Sequence, residues 1–446
     1  MINVISIIIG KFILFLLKLL GKKGGNFPGI VLLKLNKNFF KKIKINAKVI
    51  VITGTNGKTW TTNLIYNTLL NSNKKVISNT QGNNINYGIA TLFVKNIKLN
   101  GTLNYDYIVI EVDEHYLPVV FKDIKVDSLI ILNLFRDQLD RSGEVETLIN
   151  KMGNFIKTYN GNLILNSDDP NVSRFSLFNK DNKNIYYFSV EKFSNSKKKM
   201  DDKGEGLFCP NCFKKLKYDY YQYSHIGKFK CPVCNYGYNK IDTLVENIDF
   251  KNKTFYLGKN KYKTMYNNMY SMYNISAALT LFKIYNIKNN VIEKSISNFE
   301  INNGRLEKFI INDCISLLNL AKNPTGVTVT LKVMNENESA KELLFVLNDN
   351  DADGHDVSWI YDINFNVLNN VKRVVTSGKR AYDIAVRIKM SGYNYKNIVV
   401  KPDISDAINT LYETKNDKYI ITNYTALIPT RNKLIEYKRK KDYDDV

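Results

Sequence analysis

The chain has 446 residues, enough for two or three domains that each bury their own hydrophobic core. Lysine and arginine outnumber aspartate and glutamate by 64 to 42, and the resulting charge of +22 favours contact with a nucleic acid, an anionic lipid headgroup or a phosphorylated substrate. Only five cysteines occur, four of them in two tight pairs, which excludes a secreted disulfide framework and favours an enzyme of the cytoplasm.

The N-terminal segment, residues 1–45, is strongly apolar over residues 2–20 apart from Lys11 and Lys18. A signal peptide carries its positive charges before the apolar stretch, and this segment has the opposite order, which excludes that function. A spanning helix needs about 20 apolar residues with few charges. We therefore predict a helix that packs on the next domain, with a helix lying at the membrane surface as the alternative.

Residues 48–62 run from an apolar strand into a lysine bracketed by glycines. The strand ends at Gly54, where a residue without a Cβ can turn tightly, and residues 61–70 have a helical composition. In such a loop, backbone N–H groups and the helix N-terminus hold phosphates, the lysine reaches the terminal ones, and the next threonine binds magnesium. We predict an ATP site formed by Gly54, Thr55, Asn56, Gly57, Lys58 and Thr59.

Polar residues gather at the carboxyl ends of the apolar strands that follow. Glu111 ends one such strand, Asn133 the next, and Ser167-Asp168-Asp169-Pro170 a third. Open parallel sheets bind their ligands at this edge. Because strands alternate with helical stretches, we predict an α/β central domain over residues 46–305.

Between residues 192 and 245 this pattern gives way to an insert rich in lysine and tyrosine. Two Cys-x-x-Cys pairs, 18 residues apart, can present four thiolates tetrahedrally to zinc, which then substitutes for a hydrophobic core. His225, between the pairs, is expected at the surface, and the unpaired Cys314 is expected to be a small buried residue. We predict a zinc ribbon over about residues 200–240, with the ligands Cys209, Cys212, Cys231 and Cys234.

The last third of the chain predicts a second α/β domain over residues 312–440. It follows a helix that contains Asn274 and two alanines, and a turn that contains Gly304-Arg305. The glycine-bracketed lysine loop is not repeated in this second domain. The strand candidates of the domain are residues 342–347, 371–376, 397–400 and 419–422.

Together these residues resemble the Mur ligase superfamily, the ATP-dependent enzymes that build the peptidoglycan stem peptide. In that family the loop binds ATP phosphates, the strand-end glutamate holds magnesium, and an asparagine and an arginine contact the nucleotide. The resemblance implies these roles for Glu111, Asn274 and Arg305. Gln138 stands where many members carry a histidine near the metal. The matching stretches are Gly54–Thr59, Glu111, Asn133 with Asp137-Gln138-Leu139-Asp140, the Asn274 helix and Gly304-Arg305.

The chain is similar to the MurT-type members in its four-cysteine insert, in residues 348–359 and in Ser377-Gly378-Lys379-Arg380. This resemblance covers nearly the whole chain. It implies a ligase that uses ATP and Mg²⁺ to amidate the α-carboxyl of D-glutamate in lipid II through an acyl phosphate. About 45 residues precede the loop, too few for a uridine-nucleotide domain. A basic, apolar N-terminus also suits an anionic lipid at the inner face of the plasma membrane.

The same resemblance implies a GatD-type glutaminase partner that supplies the ammonia, because no cysteine here has a recognisable histidine partner. In such members an aspartate of the 348–359 segment completes the Cys-His pair of the glutaminase, and a carboxylate that orients a histidine fits the logic of catalytic triads. We favour Asp356 for this role, with Asp353 second. His355 is expected to be a bystander, and a merely solvated acidic turn is the alternative.

Three other functions remain open from the sequence. A stand-alone ligase of the Mur or folylpolyglutamate type shares every feature of the P-loop and would act without a glutaminase. A nucleic-acid-binding zinc ribbon is suggested by the charge and by tyrosines interleaved with lysines in the insert, but these aromatic residues are confined to the insert. A scaffold that keeps ATP for folding is the third, and ATP turnover distinguishes it from a ligase.

Overall fold

The structure is a computed structural model that describes residues 2–21, 24–80, 82–136, 145–194, 196–200, 205–300, 307–335 and 338–444. The chain forms two compact units, of which unit 1 comprises residues 1–135 and 145–299 and unit 2 comprises residues 136–144 and 300–446. Two residues named above, Gln138 and Arg305, lie outside the described residues.

Unit 1 is built on a nine-stranded sheet with the order β11-β10-β9-β6-β5-β4-β1-β3-β2. The seven strands from β9 to β2 are parallel, and β10 and β11 continue the sheet as an antiparallel hairpin. The insert adds a separate hairpin of β7 and β8. The strands are β1 (Lys44–Thr53), β2 (Val76–Ser78), β3 (Thr102–Glu111), β4 (Ser128–Ile131), β5 (Asn162–Asn166), β6 (Ile185–Val190), β7 (Lys217–Tyr223), β8 (Ile226–Lys230), β9 (Thr243–Asp249), β10 (Thr254–Leu257) and β11 (Asn260–Lys263).

Helices cover the parallel part of this sheet. Because both faces are covered, the central strands are continuous apolar runs, and Val49 to Ile52 are essentially inaccessible to solvent. The helices are α1 (Ile2–Leu19), α2 (Phe27–Leu35), α3 (Phe39–Lys42), α4 (Lys58–Asn71), α5 (Asn86–Asn96), α6 (Leu117–Phe121), α7 (Val145–Ile156), α8 (Pro170–Ser173), α9 (Met269–Ile284) and α10 (Asn289–Ser297).

Unit 2 has a six-stranded sheet with the order β12-β13-β17-β14-β15-β16, in which only β12 is antiparallel to its neighbour. Separate apolar clusters cover its two faces. The strands are β12 (Glu307–Ile311), β13 (Cys314–Leu320), β14 (Lys341–Val346), β15 (Val371–Ser377), β16 (Ile398–Val400) and β17 (Asp417–Thr422). The helices are α11 (Pro324–Asn335), α12 (Ala381–Met390), α13 (Ile404–Leu411) and α14 (Tyr424–Asp444).

The N-terminal helix α1 packs on α2 and α5, with Ile7 fully buried. Gly10 meets Val94 of α5 so closely that an added Cβ would lie 2.7 Å from its side chain. None of the described helices combines the length and the apolarity needed to cross a bilayer.

Candidate active site

The loop between β1 and α4 has the backbone that phosphate binding requires. Gly54 has φ +132° and Gly57 has φ +88°, both conformations that favour glycine. A Cβ on Gly54 would lie 2.9 Å from the backbone oxygen of Asn133. Since Thr61 donates its N–H to the oxygen of Gly57, α4 begins directly at the loop and directs its N-terminus into it.

Lys58 is folded back over its own loop. Its Nζ donates to the backbone oxygen of Gly54 at 2.5 Å and lies 3.1 Å from Oε2 of Glu114, and both side chains are less than a tenth exposed. Glu114 lies three residues after the end of β3, and the sequence did not indicate a role for it. The ammonium therefore lies within the bend of the loop, already paired with a carboxylate.

The segment after β4 holds the loop in shape from one side. Asn133 accepts the N–H of Asn56 at 2.9 Å and donates its amide to the oxygen of Asn56 at 3.0 Å. The hydroxyl of Thr55 accepts the N–H of Phe135 at 2.9 Å. Thr55 and Asn56 are therefore engaged with the protein, which makes them shaping residues of the loop.

Glu111 presents a carboxylate oxygen suited to a cation. Its backbone is fixed by Asn79, and its Oε1 accepts the amide of Asn84 at 3.0 Å. Among the described residues its Oε2 has no hydrogen-bond partner, although Glu111 is only 2% exposed. Because a buried unpaired carboxylate oxygen is unfavourable, a hard cation there would satisfy it, and Mg²⁺ prefers oxygen ligands. Thr59 is the second residue of the adjacent α4.

Asn274 on α9 meets the phosphate loop. A Cβ on Gly57 would clash with Oδ1 of Asn274, so the carboxamide lies directly over the loop. Two sites that are more than 200 residues apart in sequence are thereby brought together. Asn274 is 7% exposed, and within the described chain no protein group is hydrogen-bonded to its side chain.

The four cysteines of the insert form a compact cluster. Their sulfur atoms all lie within 4.8 Å of one another, with Cys209 to Cys234 at 3.5 Å and Cys212 to Cys231 at 3.4 Å. Tetrahedral zinc with Zn–S bonds of about 2.3 Å spaces its sulfurs by about 3.8 Å, so the donor set fits zinc.

The local environment favours a thiolate at one corner of this cluster. Burial raises the pKa of Cys231, but the N–H groups of Cys234 and Val233, each 3.4 Å from its sulfur, prevail and lower the pKa to about 6. Burial raises the pKa of Cys209 to about 12, and a bound dication would reverse that shift.

The expectation that His225 lies at the surface is wrong. His225 is 1% exposed, with Nε2 at 3.3 Å from Oδ1 of Asp169 and its ring against Phe135. It lies at the turn of the β7–β8 hairpin, which docks on residues 167–173, where Gly227 also donates to the oxygen of Asp168. Burial by this docking, a long-range contact, has no signal in the local sequence. Cys314 is 2% exposed, as predicted.

The aspartate-rich loop of unit 2 separates its carboxylates by environment. Asp353 is 2% exposed and accepts both the N–H and the hydroxyl of Thr425, at the start of α14. Asp356 is half-buried and accepts the N–H of Ser358 at 2.7 Å, which lowers its pKa. His355 is exposed and lies 3.2 Å from the exposed Asp351.

Comparisons with known proteins agree with this geometry. The Mur ligase middle domain family matches residues 52–235, and the MurT ligase C-terminal family matches residues 320–427. A Staphylococcus aureus protein named lipid II isoglutaminyl synthase (glutamine-hydrolyzing) subunit MurT is 33% identical over 93% of each chain. A Streptococcus pneumoniae protein of the same name is 30% identical over 96% of each chain. The fold is similar to a pseudomurein peptide ligase type C from Methanothermus fervidus, with a TM-score of 0.69 at 23% identity over 89% of this chain and 80% of that one.

Proposed function

The chain belongs to the MurT family of Mur ligases, and we propose that it is the ATP-dependent synthetase subunit that amidates the α-carboxyl of D-glutamate in the stem peptide of lipid II. One observation carries this proposal: three groups lie together at one edge of the unit 1 sheet. They are the glycine-bracketed Lys58, the carboxylate oxygen of Glu111 that has no partner among the described residues, and the carboxamide of Asn274. These groups suit a triphosphate, its magnesium ion and the nucleoside, in that order.

The phosphate loop has one task in this reaction, to position ATP for transfer of its terminal phosphoryl group. Lys58 exchanges Glu114 for the terminal phosphates, while N–H groups at the start of α4 hold the others. Thr59 and Glu111 would hold Mg²⁺, which when bound neutralises the charge that develops during transfer. Asn274 would hold the nucleoside, and the family resemblance implies a contact with the nucleotide for Arg305, which lies outside the described residues. The substrate carboxylate attacks the terminal phosphorus, ADP leaves, and an acyl phosphate remains.

The second half-reaction consumes ammonia. Ammonia attacks the acyl carbon, phosphate leaves with the bonding electrons, and a proton is released, which gives the isoglutamine amide. This chain has no suitable thiol to make ammonia from glutamine, because four cysteines form one cluster and Cys314 is buried in β13. We therefore infer a GatD-type glutaminase subunit as partner. Since lipid II is anchored in the membrane, the reaction would take place at its cytoplasmic face.

Asp356 is the residue of the acidic loop that fits the glutaminase. An aspartate that orients the catalytic histidine of a partner must reach beyond its own chain and stay ionised. Asp353 is committed to the start of α14, whereas Asp356 is partly accessible and has a lowered pKa. This favours Asp356 and assigns Asp353 a role in fixing the loop.

The outer face of α12 is the surface where we expect this partner to bind. Tyr382, Val386 and Met390 follow one another at a spacing of four residues and are 65%, 50% and 68% exposed. The same helix holds the segment that follows the acidic loop, because Arg387 donates to the backbone oxygens of residues 360, 361 and 363. A subunit that covers this face would therefore lie near the end of the acidic loop.

Amide formation on lipid II tests the proposal. With ATP, Mg²⁺ and ammonium, the chain should form the product without a partner. With glutamine as the nitrogen source, it should form the product only when the glutaminase is present. Asp356→Asn should lose the glutamine-dependent reaction and keep the ammonium-dependent one, whereas the fully exposed Asp351→Asn should keep both. If neither nitrogen source gives product, the function is wrong. If Asp356→Asn loses both reactions equally, the carboxylate belongs to the ATP-dependent step.

We propose one structural zinc ion per chain, bound by Cys209, Cys212, Cys231 and Cys234. Cys209→Ser should release this zinc and lower the stability of unit 1, because the insert has only a small apolar cluster of its own. Cys314→Ser, in unit 2, is the matched control and should keep a full zinc content. Normal zinc in Cys209→Ser would exclude the assignment.

A further inference from the structure

Helix α1 exposes an apolar face that its packing on unit 1 leaves uncovered. Ile7, Gly10 and Leu14 lie on the packed side. On the other side, apolar residues repeat at intervals of three and four, the spacing of one helical face. They include Ile5, Ile8, Phe12, Phe15 and Leu19, which are 50%, 49%, 57%, 57% and 69% exposed.

The exposed apolar area of this face exceeds that of a single exposed apolar side chain. A whole Phe side chain presents about 200 Å², so Phe12 and Phe15 alone leave about 200 Å² of ring surface open to solvent. The aliphatic residues of the same stripe add to it without an interrupting polar residue. The largest apolar patch on a typical monomer is about 300–600 Å², and such patches usually mark an interaction surface.

The charge around this face has one sign. Residues 1–105 contain fifteen lysines and no arginine, aspartate or glutamate, so they account for fifteen of the 22 net positive charges of the chain. Lysines in and after α2, which packs on α1, are exposed: Lys34, Lys37, Lys41, Lys42 and Lys44. All charged residues of α1 and of the two helices on which it packs, α2 and α5, are therefore lysines.

We propose that the exposed face of α1 docks unit 1 on the surface of an anionic lipid bilayer, with Phe12 and Phe15 inserted at the boundary between headgroups and acyl chains and the lysines on the lipid phosphates. A helix that packs one side on the protein while its other side is apolar lies in the plane of the interface. This inference goes beyond the ligase reaction, because it depends on no residue of the nucleotide site.

A lipid surface fits this face better than a protein surface does. The stripe offers no hydrogen-bonding group by which it could recognise one protein partner, and docking on a protein would require an acidic rim to match the lysines. An anionic bilayer supplies both components, a hydrocarbon layer for the rings and a dense array of negative charge. The flanking residues Phe27 and Leu35 of α2, 54% and 48% exposed, extend the apolar surface.

Flotation of the full chain with vesicles tests this inference. Vesicles with about one-third phosphatidylglycerol in phosphatidylcholine should bind the chain, pure phosphatidylcholine should bind it far less, and binding should fall between about 0.05 M and about 0.5 M salt. Phe12→Gln with Phe15→Gln should lower the partition coefficient about a hundredfold, roughly tenfold for each ring. Leu99→Gln with Val119→Gln, which removes two similarly exposed apolar residues of unit 1, should leave it unchanged.

The outcomes separate this inference from the ligase function. Binding of ADP in solution should be the same in the wild type and in the Phe12/Phe15 variant, so failure of the nucleotide site is detected independently. The proposal is overturned if the wild type does not bind anionic vesicles, or if both double variants bind equally well. It is also overturned if the wild type is a dimer that the Phe12/Phe15 variant dissociates, because the face would then cover a second copy of the chain.

Discussion

Glu114 should oppose nucleotide binding until magnesium is present, and Glu114→Gln tests this. In the structure the carboxylate neutralises Lys58 at 3.1 Å within a nearly dry pocket. A phosphate held by Lys58 would lie about 6 Å from this carboxylate, and two like charges at that distance repel by about 3 kcal/mol at an effective dielectric constant of about 20. Glutamine keeps the shape and an acceptor but removes the charge. We expect magnesium-free ADP to bind between about tenfold and about a hundredfold more tightly.

The assay is calorimetric titration with ADP in EDTA at low ionic strength, followed by the same titration with Mg²⁺. Glu111→Gln is the matched control, because Glu111 ends β3, three residues before Glu114, and is also buried but has no contact with Lys58 in the described chain. This control should leave magnesium-free binding unchanged and lose most of the gain that magnesium provides. In Glu114→Gln the unfolding temperature should fall without nucleotide, since a buried ammonium loses its counter-charge, and should recover when ADP binds.

The reasoning is refuted if Glu114→Gln binds magnesium-free ADP no more tightly than the wild type. Lys58 would then not need to leave its carboxylate when phosphate binds. An equal gain in Glu111→Gln would also contradict it, because the effect would then reflect the general charge of the strand edge and no specific pair.

Three further changes test other parts of the structure. Gly57→Ala should abolish ADP binding by calorimetry and destabilise unit 1 by about 1–2 kcal/mol through its left-handed backbone alone. A second change in the same chain, Asn274→Ala, should relieve the clash between the new Cβ and the carboxamide but not the backbone strain. Full recovery of the stability of unit 1 in this double variant would refute the strain. Burial raises the pKa of Asp168 above 3.8, so the folded state favours the protonated carboxyl. The stability that this preference gives at low pH is lost as pH rises through the folded-state pKa. Asp168→Asn should therefore gain in unfolding temperature over the wild type as pH rises, and a constant difference would contradict this. Glu342→Ala should cost unit 2 about 3–5 kcal/mol in denaturant unfolding because it leaves a buried lysine 3.7 Å away without its counter-charge, whereas the exposed Glu413→Ala should cost less than about 1 kcal/mol.

The parts of the site that the sequence predicted are those whose signal is local. The phosphate loop lies in consecutive residues between a strand and a helix, and its glycines have the positive φ that their position implied. The cysteine pairs are close in sequence, and the strand-end position of Glu111 follows from the strand itself. The position of Asn274 over Gly57 was implied by the family resemblance alone, since no local pattern connects α9 to the loop.

Four of the strands that the sequence missed lie at or next to the edges of the sheets. β12 and β13 form a hairpin in which burial alternates, and Ile310 and Ile315 face solvent, so neither gives a continuous apolar run. β10 and β11 are only four residues long. Short or half-exposed strands carry little of the pattern on which a sequence-based assignment depends.

The features that could not be predicted from the sequence depend on contacts between segments that are distant in sequence. Which of two neighbouring aspartates faces outward depends on Thr425, 72 residues beyond Asp353. The prediction that the apolar N-terminus packs on the next domain is confirmed, but its sequence did not show which of its sides would be covered. Its partners in α5 lie some 80 residues away and cover only one of its faces.

One such long-range contact links the cysteine cluster to the nucleotide site. Oδ1 of Asp169 lies 3.3 Å from Nε2 of His225 in the insert, and Oδ2 accepts the N–H of Leu134. Leu134 lies between Asn133 and Phe135, the two residues that shape the phosphate loop. Tyr236 of the insert fastens the same turn by donating its hydroxyl to the oxygen of Pro170. Since the insert has few apolar contacts of its own, the proposed zinc ion would order the insert and would also help to hold this turn, and through Asp169 the segment after β4, in place. A cluster far from the P-loop in sequence thus belongs to the framework that supports it.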